Sequence, residues 1–206
     1  GVFIGDYLKI GITEFGEFCT PLPDPGVGFQ YPIGDNYESL AVGTWLDGYL
    51  VAYDSEIYTH YPEDSIEGTL IFVSERTIVN TSDLAEHEVV LKTGDNKLRL
   101  NFLFHFPKHT KFVIVKATIT NISGGTLNDV YYKRVTDWDV WRNIVGSYNN
   151  WWGWDEDHDL GVAFLTPAET GAGYVYMGTA GYPSPTGYDI NAWDDTDNRG
   201  FGDNHD

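Results

Sequence analysis

Across 206 residues the chain carries 31 Asp plus Glu against 12 Lys plus Arg, a formal net charge of −19, with 42% apolar and 16% aromatic residues. That apolar content excludes a disordered chain, and the carboxylate excess repels phosphate backbones and anionic headgroups, which excludes nucleic acid and membrane surfaces as partners. No apolar run is long enough to cross a bilayer and no charged segment leads into a short apolar one, so membrane insertion is not expected and any export signal is expected to lie outside the chain.

No low-complexity linker divides the sequence, which predicts a single domain over 1–206. Helical periodicity is nearly absent, while β-branched and aromatic residues recur in short runs between Gly, Pro, Asn and Asp clusters. The pattern predicts an all-β protein, an antiparallel β-sandwich. In chain order the expected strands are 7–18, 27–31, 40–53, 68–80, 88–92, 97–106, 111–122, 130–140, 160–165 and 174–180. Cys19, the one cysteine, has no partner for an internal disulfide and no adjacent base, so it reads as a small buried hydrophobe.

Residues Thr93, Gly94, Asp95 and Asn96 separate two alternating runs and carry hairpin-turn chemistry, because Gly and Asn tolerate positive φ. The alternation places Leu98, Leu100, Phe102, Phe104 and Phe106 on one side of the second run. In the run that follows, Phe112, Ile114 and Val115 are expected near its buried part. The three runs predict an antiparallel meander at the centre of the core. Two N-x-S/T tripeptides, at Asn80 and Asn121, fall where strand patterns give way to turns, as glycan acceptors require.

Within "VTDWDVW", a strand would set Asp137 and Asp139 on one face and Trp138 and Val140 on the other. Paired carboxylates need something positive or hydrogen-bonding between them. Lys133 and Arg134, a bound cation, or a proton retained for general-acid work would each serve.

From Asn143 onward the composition turns to Gly, Asn, Asp, Trp and Tyr, which predicts a loop-rich region over 143–206 with only short strands. Here "WWGWDEDHD" sets Trp151, Trp152 and Trp154 before Asp155, Asp157 and Asp159. The alternate acidic spacing suits a hard cation. It is not an EF-hand, because Leu160 and Thr166 stand where glycine and glutamate belong. Asp195 and Asp197, in a second acidic cluster, add to the expectation of a calcium site, whereas His158 lacks the partners zinc would want. The tryptophans, together with Trp141, suit either stacking on sugar rings or packing at a corner or subunit contact.

His105 and His109 flank Pro107 and so do not form a zincin pair. No nucleophile elbow, phosphate loop or dinucleotide fingerprint occurs, and no catalytic residue is expected. The chain stops at "DDTDNRGFGDNHD" without a further strand, so the sheets are expected to be completed by a neighbouring subunit or by sequence beyond the chain.

The segments "GVFIG" (1–5), "GVGFQ" (26–30), "LAVGTWLDGYLVAY" (40–53) and "TNISGGTLNDVYYKRVTDWDV" (120–140) resemble a β-sandwich module of large secreted and cell-surface proteins of bacteria and archaea. The resemblance implies an extracellular, non-catalytic architecture and supplies no catalytic residue. In that family the pattern continues into another apolar strand, which fits completion by strand addition.

The sequence thus predicts an extracellular structural protein, a subunit of a cell-surface filament, sheath or layer. Its partners would be copies of itself, joined by strand complementation, aromatic contacts and calcium bridges. The alternative is a carbohydrate-binding or carbohydrate-active domain in which Trp151, Trp152 and Trp154 form a platform for polysaccharide and Asp137 or Asp139 serves as acid or base.

Overall fold

A computed structural model of the chain describes residues 1–18, 26–40, 47–60, 70–136, 138–141, 144, 151–155, 157, 160–171 and 173–181. Its strands are β1 (Val2–Ile4), β2 (Lys9–Gly11), β3 (Phe29–Gln30), β4 (Asp47–Tyr53), β5 (Glu56–His60), β6 (Leu70–Asn80), β7 (Leu84–Thr93), β8 (Leu98–Pro107), β9 (Ile114–Asn121), β10 (Tyr131–Thr136), β11 (Trp151–Asp155), β12 (Leu160–Leu165) and β13 (Val175–Ala180). A short helix, α1 (Pro167–Thr170), links the last two. All the described ladders are antiparallel, in the orders β1-β2-β3, β10-β4-β5, β6-β7-β8-β9 and β11-β12-β13. The fold is all-β and antiparallel, as the sequence predicts.

Strict alternation builds the centre. Leu98, Leu100, Phe102, Phe104 and Phe106 of β8 are all buried while Arg99 between them is exposed. The turn before β8 is held by Asn96 in the left-handed region (φ 60°) and by the Thr93 hydroxyl, which accepts from the Leu98 amide at 3.1 Å. Tyr49 of β4 meets Phe102 across the core with ring centroids 4.6 Å apart, so the β4 and β8 sheets pack on each other. Ala163, Leu165, Val175 and Met177 bring the β11-β12-β13 sheet into the same cluster.

The structure differs from the sequence reading in four places. On β9 the inward residues are Val115, Ala117 and Ile119, in register with Phe104, Phe102 and Leu100, whereas Phe112 and Ile114 are exposed. The expected strand 7–18 is interrupted. Only Lys9–Gly11 of it is strand, and Gly16 (φ 79°) turns the chain beneath the Phe102 ring. The strand expected over 130–140 ends at Thr136. Beyond it, Asp139 and Val140 are consecutive and both buried, which breaks strand alternation, and the Asp139 amide donates to the Ser39 carbonyl at 3.0 Å. Finally, β5 and β11 are strands where none was expected, and β11 is the "WWGWD" stretch itself.

Candidate binding surfaces

The β11-β12-β13 sheet has one face in the core and one aromatic face toward solvent. Cross-strand register aligns Trp151 with Phe164 and Phe164 with Tyr176, one residue from each strand. Trp151, Tyr174 and Tyr176 are 58%, 57% and 56% exposed. Phe164 lies 5.5 Å from Tyr176, and Tyr174 lies 5.8 Å from Tyr176 with its ring turned by only 17°. An exposed sheet face is ordinarily polar, so a row of rings here calls for an explanation outside this chain's own core.

Parallel to that row runs a second one of small residues, Gly153 opposite Val162 and Val162 opposite Gly178, and then a third of Asp155, Leu160 and Ala180. A Cβ at Gly153 would touch nothing closer than Val162 at 4.0 Å, whereas one at Gly178 would lie 2.6 Å from the Gly161 carbonyl oxygen. The middle row is therefore a low strip between an aromatic wall and an acid-bearing one. At the aromatic end stands Glu169 of α1. Its carboxylate accepts from the Thr166 amide at 2.7 Å and hydroxyl at 2.9 Å. Those bonds, with a further one from Trp151, hold its carboxyl below the usual range.

The sequence-predicted tryptophans are divided by this geometry. Trp151 joins the exposed row, while Trp152 and Trp154 occupy the alternate positions of β11, in register with Ala163 and Gly161. Trp141 lies elsewhere, half-buried, with its indole N–H donating to the Tyr31 carbonyl at 2.6 Å and its ring against Tyr37. Sequence reading missed Phe164, Tyr174 and Tyr176. Their signal is the i, i+2 spacing of aromatics in "YVY" and the register that only pairing supplies.

A second open surface is the edge of β6. This 11-residue strand pairs with β7, and no described strand pairs with its other side. Ile71, Phe72, Val73 and Ile78 on it are exposed.

Of the acidic candidates, Asp139, Asp155 and Asp157 are among the described residues. Asp139 is buried. Asp155, at the end of β11, accepts from the Asp157 amide at 3.1 Å in a local turn. Asp137, Asp159, Asp195, Asp197, His158 and Cys19 lie outside the described residues. Among the described residues no group of three or more His, Cys, Asp or Glu side chains is placed to hold a metal. Asn80 and Asn121 are both exposed. The Asn80 side chain accepts from Lys108 Nζ at 2.7 Å, and that of Asn121 donates to the Gly125 carbonyl at 2.7 Å.

One charged cluster is interior. Asp47 accepts from the Phe18 amide at 2.5 Å, from Thr136 at 3.2 Å and from Arg134 through two nitrogens. Burial pushes the neighbouring Tyr49 hydroxyl far above its ordinary range, and that hydroxyl donates to the Phe15 carbonyl at 2.7 Å. Joined by these bonds, the cluster acts as a brace tying β4, β10 and the Phe18 turn together.

Comparison of the chain with protein-family models, with curated proteins and with solved structures finds no match.

Proposed function

We propose that the protein is a non-catalytic structural domain of the cell exterior that joins copies of itself into a filament, sheath or layer by strand addition along β6. The observation that carries this reading is the edge itself: 11 residues with no described strand on the outer side and four exposed apolar side chains, which is the template that strand addition uses. Phe72 stands opposite the buried Leu91, on the core side of the sheet, and is nonetheless exposed. The added strand would cover it and complete the sheets as a sandwich.

Two bulges, at Phe72/Ser74 and Thr77/Val79, together with Glu75 and Arg76, interrupt the edge. Such features blunt indiscriminate pairing, so the edge selects a strand whose register avoids them. Repeated head to tail, the contact generates an open filament. Calcium would lessen repulsion between chains that each carry −19. The resemblance of 1–5, 26–30, 40–53 and 120–140 to secreted surface modules supports the same location.

Light scattering and negative-stain imaging over a concentration series, with calcium and with chelator, test the proposal. The expected result is concentration-dependent assembly that disappears when Ile71→Lys and Ile78→Lys are combined. A monomer at every concentration in both conditions overturns it.

A further inference from the structure

We infer that the exposed face of the β11-β12-β13 sheet is a binding site for a neutral, flat glycan chain, a role separate from assembly along β6. The row Trp151, Phe164, Tyr176 crosses three strands whose backbones lie about 4.8 Å apart, and the Phe164 and Tyr176 rings are in contact. The observed 5.5 Å between Phe164 and Tyr176 is close to the length of one sugar residue. Pyranose rings joined through equatorial bonds present apolar C–H patches on flat faces, and such patches stack on aromatic rings as other apolar surfaces do. The low strip of Gly153, Val162 and Gly178 beside the row leaves room for the edge of the chain.

Charge selects the ligand. The polar groups flanking the rings are carboxylates, Glu169 at the aromatic end and Asp155 on the far wall. Carboxylates accept hydrogen bonds from sugar hydroxyls and repel acidic sugars. A second copy docked on this face would bring its own Glu169 and Asp155 carboxylates into the same interface, which disfavours self-association here. A neutral polyhydroxyl ligand meets neither penalty.

The experiment measures binding of cellohexaose, mannohexaose and hexagalacturonate by calorimetry and by the tryptophan fluorescence of the intact chain. At least one neutral hexamer is expected to bind, with hexagalacturonate weaker by roughly tenfold or more. Trp151→Ala and Tyr176→Ser are each expected to weaken binding by roughly tenfold, while Ile78→Lys on β6 leaves it unchanged. Circular dichroism checks that each variant is folded, and because the two ring substitutions lie on different strands, either one suffices. Absence of binding to both neutral hexamers, binding indifferent to both ring substitutions, or a dimer that Trp151→Ala dissolves would each overturn the inference. Loss of assembly in the Ile71→Lys/Ile78→Lys chain bears on β6 alone.

Discussion

The Arg134 guanidinium of β10 grips the Asp47 carboxylate of β4 through Nε, at 3.0 Å, and through Nη2, with the Phe18 and Phe104 rings beside it. Asp47 is fully buried and Arg134 nearly so, and Arg134 Nη1 is buried without a hydrogen-bond partner. Burial alone would lower the guanidinium pKa, but Asp47 beside it more than compensates and raises it. Removing one member leaves the other charged in the interior. Asp47→Ala is therefore expected to cost about 3–5 kcal/mol. Adding Arg134→Met to that chain removes the stranded charge and should recover about 1–3 kcal/mol. Urea unfolding of the two single variants and the double variant measures the coupling, and simple additivity would refute the pairing.

Two histidines are set to titrate in opposite senses. His87 of β7 is buried, with Nδ1 3.2 Å from the Thr77 hydroxyl, and burial lowers its pKa below the ordinary 6.5. The stability linked to it is complete above that value and is lost as pH falls through the lower folded-state pKa. His109 is exposed and bridges Asp6 at 2.8 Å and Asp83 at 3.2 Å, which raises its pKa. Its contribution is complete below 6.5 and fades as pH rises through the higher folded-state value. A proton NMR titration of the ring resonances should place His87 below and His109 above the free imidazole. His109→Gln should abolish the alkaline loss and leave the acidic one intact.

Glu38 is a buried carboxylate that four backbone amides converge on. It accepts from the amides of Gly28 at 3.0 Å, Phe29 at 2.8 Å, Ser39 at 3.1 Å and Leu40 at 3.0 Å. Glutamine has nearly the same shape but turns one acceptor into a donor facing amide donors. Glu38→Gln is expected to destabilise the protein by about 3 kcal/mol, and thermal unfolding checks it. A loss smaller than that of an exposed Glu14→Gln control would show that the four bonds carry little stability.

What the sequence made legible was the part of the fold written in local alternation. The β7-β8-β9 meander, its Thr93 to Asn96 turn and the buried series on β8 all follow from period-two patterning over adjacent segments. The brace and the Glu38 nest were not legible, because Asp47 meets partners 29 and 87 positions away and Glu38 is satisfied by amides that any residue could supply. Aspartates in "VTDWDVW" read as a strand-borne pair, yet β10 stops at Thr136 and Asp139 turns into contact with the Ser39 carbonyl instead. At the aromatic face the tryptophans drew attention by composition. Their grouping depended on register, which joined Trp151 to Phe164 and Tyr176 and set Trp152 and Trp154 at alternate positions.

The parity of β9 gives the sharpest mutational contrast, because composition ranks Ile114 and Ile119 alike. Ile119 stands opposite Leu100 and packs against the core, whereas Ile114, opposite His105, is 51% exposed. The five-residue separation puts them on opposite faces, as period-two geometry requires. Ile114→Lys is therefore expected to change stability by no more than about 0.5 kcal/mol. Ile119→Lys forces an ammonium group against Leu100 and Phe102 and should cost about 3 kcal/mol or more. Equal losses in the two variants, measured by chemical unfolding, would mean that the strand is shifted by one residue, and a one-residue shift moves every side chain of β9 to the other face.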